Sequence, residues 1–230
     1  MRSETATTAI ALDEVSVERG GRRILRDVSL SVEGGTTAVI GANGSGKSTF
    51  ARLLNGLVQT SSGRVRVFGL DPAHDTRALR GRVGFVFTDP QAQILMPTPA
   101  EDLALSLRGR PRSEIGLRVA AILDAYGLTA QADTPAFELS GGQKQLLALA
   151  AVLATEPDLL VADEPTTLLD LRNARRIADV LLAQTVPRVI VTHDLELAAR
   201  CDRAVLFDDG RVVAVDEPHA VVAAYRRMCA

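Results

Sequence analysis

The chain has 230 residues, 47% of them hydrophobic, and carries 26 basic and 28 acidic side chains for a formal net charge of -2. That length and apolar content supply one substantial core, or one core with a small attached subdomain. The balance lacks the basic surplus of a nucleic-acid binder. Two cysteines, Cys201 and Cys229, are too few for a disulfide framework and point to a reducing cytosol.

The opening "MRSETATTAI" is polar and has no apolar leader core. The longest apolar run, "LLALAAVLA" from Leu146 to Ala154, falls far short of the ~20 residues that span a bilayer. The expectation is a soluble chain, with a membrane partner left open. Lysine occurs only at Lys47 and Lys144. In so arginine-rich a chain, Lys47 stands out as a compact, flexible ammonium.

In chain order, "IALDEVSVERGG" and "RRILRDVSLSV" alternate apolar and polar residues and read as strands turning at Gly20-Gly21. "TTAVI" is a buried strand that runs into "GANGSGKST" and then into "FARLLNGLV", which has helical spacing. "GRVRVFGL" reads as a strand pair around a glycine turn, and "RVGFVF" as a buried strand. From about Met96 to Ala151 the spacing becomes helical, broken by loops at "RGRPRS" and "QADTPAFE". Strands return at "LLVAD", "RVIVT" and "RAVLFDDGRVVAV", the last a hairpin turning at Asp209-Gly210, with helices at Arg172–Ala183 and Leu195–Arg200. Strands alternating with helices predict an α/β layered fold with a largely parallel sheet and a small helical insertion.

The stretch Gly41, Ala42, Asn43, Gly44, Ser45, Gly46, Lys47, Ser48 fits the phosphate-loop pattern G-x-x-x-x-G-K-[ST], with Thr49 following. Glycines let backbone N–H groups approach phosphate oxygens, and the helix that follows adds its positive end. Lys47 would reach the β- and γ-phosphates and Ser48 would offer its hydroxyl to Mg²⁺. In "DLLVADEP", Asp163 at a strand end would hold that ion through water, and Glu164 would polarise a water for attack. His193, after "RVIVT", lies at the sheet edge where such folds bind ligands. His74 and His219 read as incidental surface residues. In "LSGGQKQ", Ser140 caps a helix that Gly141 and Gly142 open; it is either an ordinary glycine-rich cap or a second phosphate device serving another molecule's nucleotide.

The ordered series "GANGSGKS", "LSGGQ", "LLVADE", "TTLLD", "VTHD" resembles the ATP-binding cassette (ABC) ATPases over essentially the whole chain. The resemblance implies one ABC ATPase domain over residues 1–230. Its P-loop, RecA-like α/β core spans about 8–90 and 156–230, with an N-terminal antiparallel β subdomain and a helical subdomain at about 91–155. It implies ATP and Mg²⁺ as ligands, and a head-to-tail homodimer or pseudo-symmetric pair with two ATPs at its interface. Ser140, Gly141, Gly142 and Gln143 would contact the partner's ATP, Asp170 would lie at the seam, Glu164 would be the catalytic base and His193 the switch histidine.

Two positions depart from the family. Arg19 stands where an aromatic residue usually stacks on adenine, and a guanidinium can also stack there. Thr88 stands where a glutamine usually meets Mg²⁺ and the attacking water; its shorter hydroxyl would act through a bridging water, and Gln91 and Gln93 would face a partner. "FTDP", "MPT" and "TTLLDLRN" resemble the ATPases of energy-coupling-factor (ECF) transporters, most of all those dedicated to biotin. The chain also stops soon after "AVDEPHAVVAAYRRMCA", without the extension common in shared-module ECF ATPases. The resemblance implies a peripheral position on the cytoplasmic face of the membrane, a transmembrane coupling protein and a membrane substrate-binding component. A cobalt or nickel ECF importer and a non-transport ABC protein are the alternatives.

Overall fold

The computed structural model describes residues 8–229. In chain order the elements are β1 (Ile10–Arg19), β2 (Arg22–Val32), β3 (Thr36–Gly41), α1 (Lys47–Leu53), β4 (Ser62–Val67), α2 (Thr76–Arg80) and β5 (Val83–Val86). Then come α3 (Pro99–Ser106), α4 (Arg112–Ala125), α5 (Gly141–Leu153), β6 (Leu159–Asp163), α6 (Leu171–Leu182) and β7 (Arg188–Val191). The chain closes with α7 (Leu195–Ala199), β8 (Arg203–Asp208), β9 (Arg211–Asp216) and α8 (Pro218–Met228). They fall into two compact units. One comprises the chain up to Phe85, Asp158–Glu164 and the chain from Leu182 onward; the other comprises Val86–Pro157 and Pro165–Leu181.

The first unit carries two sheets. An antiparallel sheet of order β2-β1-β4 follows from the alternation in β1, where Leu12, Val15 and Val17 are buried and Asp13, Glu14 and Glu18 are exposed. A six-stranded sheet has the order β5-β6-β7-β3-β8-β9. In it β3 pairs in parallel with β7 and β8, and β6 with β7, while β9 returns antiparallel to β8 across the Asp209-Gly210 turn. β3, β6 and β7 are buried at every position, as strands covered on both faces must be. Phe50 of α1 meets Phe207 of β8 with ring centroids 5.3 Å apart, and both are fully buried.

The second unit is helical. Thr98 caps α3 by accepting from the Glu101 N–H, with Pro99 at the first helical position. Leu103, Val119, Leu123 and Leu146–Ala151 supply its apolar interior. No helix among the described residues is long and apolar enough to cross a membrane.

The antiparallel and parallel sheets, the hairpin and the helical insertion match the sequence reading. Two helices go beyond it, α2 and α8. "GRVRVFGL" is one strand, β4, closed by a tight turn with a single bridge between Val67 and Leu70.

Candidate active site

β3 ends at Gly41 and α1 begins at Lys47, so the loop between them starts at the end of a central strand. Gly41 has φ 142°, and a Cβ there would lie 2.1 Å from the Phe207 carbonyl oxygen, so no other residue fits. The Ser45 N–H turns back to the Ala42 carbonyl at 3.2 Å, which curls the loop. Ala42, Asn43 and Gly44 are exposed at its crest, and Ser48 and Thr49 are half-buried in the first turn of α1. That turn leaves N–H groups without intrahelical acceptors.

Lys47 is buried, and its Nζ donates to the carbonyls of Gly41 and Ala42, both at 2.9 Å. Burial lowers its pKa, while Glu164 and then Asp163 hold it up. The Ser48 hydroxyl donates to Asp163 Oδ1 at 2.7 Å, and Arg52 Nη2 lies 3.5 Å from Oδ2. Asp163, the last residue of β6, is fully buried. Burial pushes its carboxyl up, opposed first by the Ser48 hydrogen bond and then by Arg52.

Glu164 takes a left-handed backbone, φ 54°, and its N–H donates to the Val191 carbonyl at 2.9 Å. This bends the chain off β6 beside the end of β7. Glu164 Oε2 lies 2.6 Å from His193 Nδ1 and accepts the His193 N–H at 3.3 Å. A carboxylate only accepts, so Nδ1 carries the proton of this contact and Nε2 is the ring's other polar atom. The residues after His193 are pinned in turn: the Asp194 N–H donates to Thr192 Oγ1, and Asp194 Oδ1 accepts from Glu196 and Leu197. Arg19 lies exposed at the end of β1, opposite Arg22 across the turn.

The second unit holds the other predicted residues. Ser140 Oγ accepts the Gln143 N–H at 3.3 Å, and Gln143 Oε1 accepts the Ser140 N–H at 2.8 Å, a reciprocal capping box at the start of α5. Ser140 and Gly141 are exposed, whereas Gly142 is buried against Asn173; a Cβ on Gly142 would sit 2.4 Å from Asn173 Cγ. Asn173 is itself held by Asp170, which accepts its backbone N–H at 2.9 Å and its side-chain amide at 2.7 Å. These bonds, the backbone one first, hold the Asp170 carboxyl below its ordinary range. Thr88 is half-buried after β5. Gln93 differs from expectation: its Oε1 accepts from Phe87 and its Nε2 donates to Ala148, so it braces the unit from within, while Gln91 is exposed.

Beside Gln91 lies a cavity of about 380 Å³ walled by Ile94, Leu95, Met96, Phe137 and Lys144. Buried Asp102 shapes it by accepting from the Leu95 and Met96 N–H groups. Leu95 and Phe137 are more than 70% exposed. The sequence reading missed Arg52, Asn173 and Asp102, whose roles rest on contacts that no local motif announces.

The sequence model of the ABC transporter family matches residues 25–167. The chain belongs to the ABC transporter ATPases. Within them it is of the ECF type. It is 43% identical over 224 residues to the biotin transport ATP-binding protein BioM of Rhizobium etli, covering 96% of this chain and 99% of that one. It is 40% identical over 210 residues to the energy-coupling factor transporter ATP-binding protein EcfA1 of Lacticaseibacillus paracasei, covering 87% of this chain and 75% of that one. Among solved structures, cbiO1 of Clostridium perfringens, described as part of the ABC transporter complex cbiONQ, superposes with a TM-score of 0.85 at 29% identity. That match covers 97% of this chain and 94% of the other. This ABC ATPase therefore binds and hydrolyses ATP, and its relatives are ATP-binding subunits of transporters.

Proposed function

We infer that this ABC ATPase powers biotin uptake, as a pair of copies on the cytoplasmic face of the membrane. The observation that carries the hydrolytic part is the meeting of Lys47, Ser48, Asp163, Glu164 and His193 in one unit, drawn from three neighbouring strand ends and the start of α1. Ser48 and Asp163 present oxygen atoms 2.7 Å apart, and one of them is a buried carboxylate. This donor set suits Mg²⁺, which takes oxygen ligands and usually keeps waters and substrate phosphates around one or two carboxylates. When bound, the ion would supply positive charge to the phosphate oxygens.

The loop's N–H groups and Lys47 bind the phosphates of ATP. Glu164 takes a proton from water as its oxygen attacks the γ-phosphorus, and the bond to the ADP oxygen breaks. His193 positions the Glu164 carboxylate through Oε2 and offers its ring to the γ-phosphate. Arg19 stacks on the base. Ser140, Gly141, Gly142 and Gln143 receive the nucleotide held by a second copy. Asp170 sits at that seam, flanked by Leu168 at 96% and Leu171 at 62% exposure, apolar side chains that a second copy would cover. The groove at Leu95, Met96 and Phe137 receives a helix of a transmembrane coupling protein, whose substrate-binding companion carries the vitamin.

Near-full-length likeness to BioM supports biotin over other cargo. The test is purification of the tagged chain from its host's membranes, with identification of the retained integral proteins. A coupling protein and a biotin-binding membrane component are expected. A metal-binding component in its place would move the assignment to cobalt or nickel uptake, and no integral partner would remove transport.

A further inference from the structure

A second cavity, of about 410 Å³, adjoins the phosphate loop at Gly44 and is walled by Arg22, Arg23, Ile24 and Arg26 of β2 and by Asp209 of the β8–β9 turn. Its position is defined by the loop itself, since the Gly210 N–H donates to the Ser45 carbonyl and the Arg26 N–H to the Gly210 carbonyl. A ligand whose phosphates lie in the loop can extend its remaining half along this wall. Two of the three guanidinium groups are already committed: Arg23 pairs with Glu18 at 3.0 Å and Arg26 with Asp209 at 3.1 Å. Arg22 has no acidic partner among the described residues. No aromatic residue precedes Phe50 in the sequence, and Phe50 is fully buried. The wall thus offers a planar fork of donors and one aliphatic surface, with no aromatic ring.

That chemistry discriminates between purines. A guanidinium donates and never accepts. Guanine presents two acceptors side by side, O6 and N7, which the fork meets with paired bonds; adenine presents N7 beside an amino donor, which the fork cannot satisfy. We propose that Arg22 reads the O6/N7 edge of the base, so that this ATPase binds guanine nucleotides about as well as adenine nucleotides. The proposal rests on the phosphate-loop reading above. Arg22 is a specificity residue that touches the base and takes no part in the phosphoryl transfer.

The test is calorimetric titration of the whole chain with ADP, GDP and IDP in Mg²⁺ buffer, since diphosphates are not turned over. GDP is expected to bind no more than about twofold weaker than ADP, and IDP, which keeps O6 and N7, is expected to follow GDP. Arg22→Ala and Arg22→Lys are each expected to shift the GDP-to-ADP ratio about fivefold or more towards ADP, because lysine keeps the charge and loses the fork. ADP binding more than twofold tighter than GDP in the wild type, IDP tracking ADP, or a smaller shift in either variant overturns the proposal. Failure of all three nucleotides to bind would instead remove the phosphate-loop reading.

Discussion

At the scale of single residues, Asp163 places a carboxyl at the fully buried end of β6. Its carboxyl is pushed up by burial, and the Ser48 hydroxyl and Arg52 offset only part of that. A carboxyl raised in the folded state adds stability below its unfolded value and loses that contribution as pH rises through the folded value. Ionising this side chain above the ordinary carboxylate range therefore costs the fold stability. Asp163→Asn removes the charge and keeps an oxygen for Ser48. It should raise the melting temperature of the nucleotide-free protein by about 2–4 °C, equivalent to about 1 kcal/mol. It should also cut Mg²⁺-dependent ATP hydrolysis by roughly 100-fold or more, because the carboxylate proposed to hold the ion is gone. Scanning calorimetry and phosphate release check the two arms. A melting point below wild type would show that ionised Asp163 stabilises the fold after all. The sequence could place Asp163 and Ser48 at their motifs. It could not pair Arg52 with Asp163, because that contact joins residues 111 positions apart and depends on β6 lying beside α1.

At the scale of elements, α5 and α6 meet at a contact that only glycine permits. Gly142 leaves the space that Asn173 fills, and Asn173 is fixed there by Asp170. Gly142→Ala puts a methyl group 2.4 Å from Asn173 Cγ and must move α5 or the Asn173 side chain. The expected loss is about 1–3 kcal/mol in urea denaturation, the usual range for overpacking. Asn173→Ala removes the obstructing atoms, so the double variant should recover at least half of that loss. A double-mutant cycle with no coupling would mean that the strain is absorbed elsewhere. The motif "LSGGQ" announced the capped helix start, since serine followed three residues later by glutamine is a local pattern. It did not announce Asn173, which owes its place to the packing of two helices distant in sequence. Short α2 and terminal α8 escaped for a related reason: α8 buries only Pro218, Val221 and Val222, too sparse a stripe to read as periodic.

At the scale of the whole molecule, the groups proposed to handle one ATP fall into two sets. Lys47, Ser48, Asp163, Glu164 and His193 belong to one compact unit, and the exposed Ser140 and Gly141 to the other. The order of motifs along the chain made both sets legible, but not the apolar flanks of Asp170, since "TTLLDLRN" reads equally well as buried leucines. The structure instead leaves Leu168 96% exposed on a left-handed backbone, φ 66°. A β-turn side chain of that size facing water costs apolar hydration that a second copy can relieve. Glu164→Gln keeps the shape of the site and removes the proposed base, so added ATP should accumulate a dimer, seen as a doubling of mass by size-exclusion chromatography with light scattering. Wild type should pass back to monomer as ATP is consumed. Leu168→Glu placed in the Glu164→Gln chain should weaken that dimer about tenfold or more while leaving nucleotide binding to the single copy unchanged, because a buried unpaired carboxylate at the seam opposes closure alone. A Glu164→Gln chain that stays monomeric with saturating ATP would separate the two proposed nucleotide-handling sets and leave the exposed Ser140 and Gly141 without a ligand.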